Sequence, residues 1–173
     1  MTDILLYPDP KLTTVCEPIT EFDSSVDELS KLLIKTVAAA GGLGLSAPQL
    51  GILKRMFVSK VGETDIMTFV NPSIKRELGE ELIVQEGCLS LPSVNGKVKR
   101  NSRIHINAQD VFGTEFQVTL IDQDAVAFQH ELDHLDGVTL FEKMGRIQRL
   151  TKKNPYMKRL RRWKKSQKTI QTK

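Results

Sequence analysis

The densest chemistry in the chain lies in Gln129-His130-Glu131-Leu132-Asp133-His134. His130 and His134 stand four residues apart, about one turn of α-helix, so their side chains share a face at a separation of roughly 6 Å. That spacing suits two imidazoles on one divalent metal. Glu131 projects beside them, where a carboxylate can handle the proton of a metal-bound water. The plain alternative is an ordinary helix with two surface histidines. Two of the chain's three histidines fall into this one string, which favours the metal. A catalytic site of this kind needs a third protein ligand and an open position. A further histidine six residues on is not supplied, because that position is Leu140. Two candidates remain. Glu142 lies downstream. Upstream, Cys88 sits in Glu86-Gly87-Cys88-Leu89-Ser90-Leu91-Pro92, and its thiolate would be a good soft ligand for zinc or iron. Taken alone, Cys88 reads equally as a small buried hydrophobe.

A third segment, Gly41-Gly42-Leu43-Gly44-Leu45-Ser46-Ala47-Pro48-Gln49-Leu50-Gly51, superficially suggests a phosphate loop. It follows a helical pattern rather than a strand and lacks the Gly-Lys-Ser/Thr ending, so no nucleotide cofactor is expected. Its small residues instead allow close approach of a substrate backbone. Gln49 offers a neutral amide donor, suited to an oxyanion and unable to compete for the metal.

These segments need elements to hold them. Residues 24–42 show helical spacing at Leu29, Leu32, Leu33, Thr36, Val37 and Ala40. Ser25 and Glu28 stand at capping-box spacing, and Gly41-Gly42 ends the run. The middle of the chain reads as β. RMFVSKV and DIMTFVN are short strands, the second closed by Asn71-Pro72, and ELIVQE is a third. RIHINAQ and EFQVTL alternate apolar and polar residues across a connection containing Gly113, which reads as a hairpin. Asn95-Gly96 marks a further tight turn. His105 alternates out of the apolar face and reads as surface. Cys16, near the N-terminus, reads as an incidental thiol. A second helix is expected from about Asp122 to Asp136, capped by Asp122 or Asp124, with Phe128, Leu132 and Leu135 packing one side. The order α-β-β-β-β-β-α is an α+β pattern, with mixed or antiparallel sheets around a central metal-binding helix, an N-terminal helix and a C-terminal helix or tail.

With 173 residues, 40% hydrophobic and 27% charged, the composition is ordinary globular and excludes global disorder and fibrous repeats. No apolar run approaches the roughly 20 residues of a membrane span, and the opening residues do not form a secretory signal. A cytoplasmic location without membrane partners is therefore expected. The net charge of +4 hides an asymmetry. Residues 151–173 carry ten Lys/Arg and no Asp or Glu, whereas residues 1–150 hold 15 basic against 21 acidic side chains. This division predicts a catalytic domain over 1–150 and a basic C-terminal helix or tail over 151–173. The tail is either a solvated solubility element, a handle for a polyanion such as RNA or the ribosome, or a helix docked on the body through Leu160 and Trp163.

The three segments, in this order, resemble the signature motifs of the peptide deformylases: Gly-φ-Gly-φ-Ala-Ala-x-Gln, Glu-Gly-Cys-Leu-Ser, and Gln-His-Glu-x-Asp-His-Leu-x-Gly, where φ is apolar. The opening Leu6-Tyr7-Pro8-Asp9-Pro10-Lys11-Leu12 and the stretch Gly137–Met144 are also similar, so the likeness covers roughly residues 4–150. The resemblance implies that Cys88, His130 and His134 bind the metal and that Glu131 is the general base and acid. It implies further that Gln49 and the backbone N–H of Leu89 form the oxyanion site. Gly44 would pair with the extended peptide and Leu43 would line the pocket for the first methionine. The family hydrolyses the N-formyl group from formyl-methionine of nascent polypeptides and releases formate. Its metal is usually Fe(II), with Zn, Ni or Co also able to occupy the site, and a C-terminal helix is thought to hold the enzyme near the ribosomal exit. The alternatives are a metal-dependent endopeptidase built on the same helix and a catalytically silent relative that binds ribosomes. Three residues depart from the family pattern: Ser46 in place of Ala, Asn95 where many bacterial members carry Arg, and Gln123 where an apolar pocket residue is common.

Overall fold

The computed structural model describes residues 3–63 and 65–171. Helix α1 (Ser24–Ala40) buries Val26, Leu33 and Val37 and ends at Gly41, whose φ of +66° is the left-handed cap conformation. Its start differs from the expected Ser25–Glu28 box. Asp23 is the N-cap, accepting the Ser25 N–H at 2.9 Å and the Ser25 hydroxyl at 2.5 Å. Ser25 is already the second residue of the helix, and Asp23, immediately before the first, ranks with Ser among N-caps and takes the position.

Five strands form one antiparallel sheet in sequential order: β1 (Gly44–Ser46), β2 (Met56–Val61), β3 (Asp65–Gly87), β4 (Asn95–Gln109) and β5 (Glu115–Ile121). Two expected strands, DIMTFVN and ELIVQE, prove to be parts of the single strand β3. Asn71-Pro72 does not close a strand but is absorbed as an irregularity, with the register against β4 shifting between Val70 and Ser73. Proline removes one ladder donor, and a bulge is where a sheet tolerates that. Asn71 adopts φ +49°, and its side chain accepts the Ile19 N–H and donates to the Ile19 carbonyl. Asn95-Gly96 is likewise not the turn. It opens β4, and the reversal falls at Leu91–Val94, where Ser93 has φ +62°. Gly96 packs tightly on Met144, whose side chain would have to shift to admit a Cβ there. The β4–β5 hairpin closes as expected, with Gly113 at φ +85°.

Helix α2 (Asp122–Leu135) crosses this sheet, packing on β2 and β4. Phe128 on its inner face meets Phe57 and Phe69 at ring-centroid distances of 5.1 and 5.2 Å. Neither Asp122 nor Asp124 caps it. The N-cap is Ile121, and the Asp124 carboxylate instead accepts the Gly62 N–H at 2.9 Å, tying α2 to the β2–β3 turn. The turn after α2 leads to the short helix α3 (Leu140–Lys143), opened by a Thr139–Glu142 capping box.

Helix α4 (Arg146–Gln171) runs across the 150/151 composition boundary. Tyr156 and Leu160 are buried against Tyr7, Leu12 and Phe141, the Tyr156 hydroxyl donating to the Tyr7 carbonyl at 2.9 Å. Trp163 is half exposed. The first half of the basic segment is therefore docked on the body. Cys16 is a buried core thiol, which burial holds near 11. No helix among the described residues is long and apolar enough to cross a membrane.

Candidate active site

Helix periodicity alone places His130 and His134 one turn apart on α2, with ring centroids 5.1 Å apart. The sheet supplies what the helix cannot. The end of β3 carries Cys88 beneath that turn, its Sγ 3.2 Å from His134 Nε2. The ligating atoms of Cys88, His130 and His134 lie within 4.8 Å of one another. Glu142, the other candidate third ligand, is spent elsewhere: its carboxylate accepts the Thr139 N–H and hydroxyl in the α3 capping box.

The chemistry of the donors suits a metal. Burial pushes the Cys88 thiol up, but the adjacent His134 and His130 imidazoles outweigh it and bring the thiol down to about 5. Thiolate is the ligating form. His130 Nδ1 lies 2.8 Å from Glu86 Oε2, which fixes the ring and leaves Nε2 for the site. Glu86 is itself clamped by Arg100, at 2.7 Å from Nε and 3.0 Å from Nη2, and a third Arg100 nitrogen reaches Asp133 at 2.6 Å. Burial opposes the charge on Glu86, yet His130 and Arg100 hold its carboxyl down to about 2. This bidentate pair is almost completely buried. Two polar atoms here, Glu131 Oε2 and, on the ring edge away from Cys88, His134 Nδ1, are buried without a hydrogen-bond partner among the described residues. Such groups are costly to leave unmade, and at a reactive site they are a reason to expect a ligand. Two imidazoles and one thiolate with such orphaned neighbours fit a single borderline-soft divalent ion.

Glu131 lies over strand β1. A Cβ on Gly44 would sit 2.7 Å from Glu131 Oε1, so only glycine leaves room for that carboxylate. Burial pushes the Glu131 carboxyl up, partly offset by the two imidazoles. Gln49 is buried on the other side. Its Oε1 accepts the Ser46 N–H at 2.9 Å, and its Nε2 faces Ser90 Oγ at 3.1 Å and Cys88 Sγ at 3.7 Å. These groups line a cleft of about 800 Å³ together with Leu43, Leu89 and, at its edge, Gln123. The buried His134 lies behind its wall, and Asn95 is exposed at the start of β4, where its carbonyl accepts from Lys152. His105 is half exposed on β4 and bonds Thr119 and Gln117, away from the site.

The eight residues to which the resemblance gives a site role, Leu43, Gly44, Gln49, Cys88, Leu89, His130, Glu131 and His134, therefore surround one locus. Three contributors were missed. Glu86 and Arg100 are 14 residues apart and meet only because β3 and β4 pair; no local pattern signals them. Ser46 had a signal, the Ser-x-x-Gln spacing of a capping box with Gln49.

Three residues that could hold a metal, set beside an open cleft, would suit a catalytic rather than a structural centre, and the carboxylate next to them fits the class of metal-dependent hydrolases. The comparisons with known proteins narrow this class. A sequence model of polypeptide deformylase matches residues 1–150. A peptide deformylase of Heliobacterium modesticaldum is 44% identical over 142 residues, covering 82% of this chain and 93% of that protein. One from Chromobacterium violaceum is 35% identical over 161 residues, covering 92% and 96%. The crystal structure of Plasmodium falciparum peptide deformylase superposes with a TM-score of 0.86 at 32% identity, covering 94% of this chain and 97% of that one. This chain belongs to the polypeptide deformylase family.

Proposed function

We propose that this cleft removes the formyl group from N-terminal formyl-methionine of nascent polypeptides, with Cys88, His130 and His134 as the metal ligands. The convergence of those three donors with Glu131 and Gln49 in one cleft carries the reading. A divalent ion held there would supply Lewis acidity and make water nucleophilic at neutral pH.

The chain's own groups account for the rest. β1 is the sheet's edge strand, so Gly44 can pair with an extended peptide while Leu43 and the apolar wall receive the methionine side chain. Glu131, raised by burial, takes the proton of the attacking water. As the carbonyl oxygen gains charge, Gln49 Nε2 and the Leu89 N–H donate to it. Glu131 then returns the proton to the departing amine nitrogen, the C–N bond breaks, and formate leaves.

Iron is the native ion in this reading, with Zn, Ni or Co as substitutes, since a thiolate with two imidazoles accepts all of them. The protein acts in the cytoplasm. The body over 1–150 carries the chemistry, and the basic segment 151–173 contacts the ribosome. The test combines formate release from a formyl-Met peptide with metal analysis. Cys88→Ala and His130→Ala should lose metal and activity together, whereas Glu131→Ala should keep metal and lose turnover. Normal metal content in Cys88→Ala would overturn the ligand assignment.

A further inference from the structure

Gln49 can serve as an oxyanion donor only if its carboxamide is held one way round. A flipped amide would aim a carbonyl at the developing negative charge. The Ser46 backbone N–H can only donate, so the Gln49 atom 2.9 Å from it is the oxygen, and the nitrogen must face Cys88 and Ser90. One backbone bond leaves the second lone pair of Oε1 open in a buried site. The Ser46 hydroxyl fills it, donating at 3.0 Å, and the two residues close a reciprocal capping box across Ala47–Leu50. Ser46 and Gln49 are both essentially excluded from solvent, so water cannot replace this bond.

We infer that Ser46 is a positioning residue for this reaction, its hydroxyl locking the Gln49 carboxamide with Nε2 presented to the substrate oxygen. An alanine at this position, the residue usual in the family pattern, keeps the backbone N–H bond to Oε1 and loses both the hydroxyl bond to Oε1 and the hydroxyl's cap on the Gln49 N–H. This chain thus carries a second restraint on its oxyanion donor. Ser46 is not among the residues lining the cleft or forming the Cys88–His130–His134 cluster and acts through Gln49, so the inference rests on the oxyanion role given to Gln49 above.

A double-mutant cycle tests it. Formate release from a formyl-Met peptide, melting temperature and metal content are measured for the wild type, Ser46→Ala, Gln49→Leu and the double variant, all metal-loaded. Ser46→Ala should lower kcat roughly three- to tenfold, the range a single neutral hydrogen bond is worth, with KM and metal content unchanged. Gln49→Leu should lower kcat by about 10²–10³. In that background, Ser46→Ala should cause no further loss, because the group it orients is gone. A wild-type kcat in Ser46→Ala beside a large loss in Gln49→Leu would overturn the positioning role and leave the oxyanion reading standing. An equal fold-loss in both backgrounds, tracking the melting temperature, would make Ser46 a packing residue only. An unchanged kcat in Gln49→Leu would remove the oxyanion reading and the inference with it.

Discussion

Arg100→Met should be among the most damaging single substitutions in the protein, although Arg100 touches neither the proposed ligands nor the cleft. The arginine is 3% exposed and makes three short charged contacts, two to Glu86 and one to Asp133. Methionine preserves much of the volume, so the loss is electrostatic. Glu86, itself buried, would be left with only His130 as a partner, while Asp133 keeps Lys143 at 3.2 Å. Stranding one partner of a buried pair costs about 3–5 kcal/mol. In a protein of this size each kcal/mol shifts the melting temperature by about 2–4 °C, so the variant should melt roughly 6–20 °C below the wild type. The second effect is on metal. Glu86 orients His130, and loss of such outer-shell support typically weakens metal affinity about 10–100-fold. Lys99→Met is the control. It breaks an ion pair of similar length to Glu81, but the two side chains are 67% and 55% exposed, and the expected cost is below about 1 kcal/mol. Calorimetry and chelator competition on both variants make the comparison. If Arg100→Met melts within about 2 °C of the wild type, the buried clamp does not hold the site and the reasoning fails.

Gly44→Ala should retain metal but lose most formate release, because its methyl would meet Glu131 Oε1 at 2.7 Å; wild-type turnover would show that the carboxylate has room to move. Deleting residues 151–173 should lower the melting temperature by roughly 10 °C or more, since it removes the buried Tyr156 and Leu160, and a calorimetric trace matching the full chain would contradict their packing role. Charge-neutralising the exposed Arg161 and Arg162 should spare that melting temperature while weakening co-sedimentation with ribosomes most at low salt, leaving the remaining binding less sensitive to salt. An iron-loaded preparation should lose activity in air through oxidation of the iron or of the Cys88 thiolate, whereas a nickel-loaded one should not; equal survival would argue against iron as the native ion.

The sequence by itself determined the features that depend on neighbours a turn or a pleat away. His130, Glu131 and His134 follow from helical period, the β4–β5 hairpin from alternation around Gly113, and the end of α1 from Gly41. The motif order singled out residues that gather at one cleft, because each motif is a short contiguous string. Tertiary structure decided what depends on distant partners. Asn71-Pro72 looks like a strand end, yet β3 continues through it. Pairing with β4 on both sides of the break, together with the Asn71 bonds to Ile19, outweighs the lost proline donor. The choice of Cys88 over Glu142 beside the histidines is likewise tertiary, since both residue types can ligate and only the β3–α2 packing decides which arrives. Arg100, silent in sequence, becomes the clamp on Glu86 because a hairpin brings side chains 14 residues apart into the same dry interior. There an ion pair is strong enough to hold an imidazole in place.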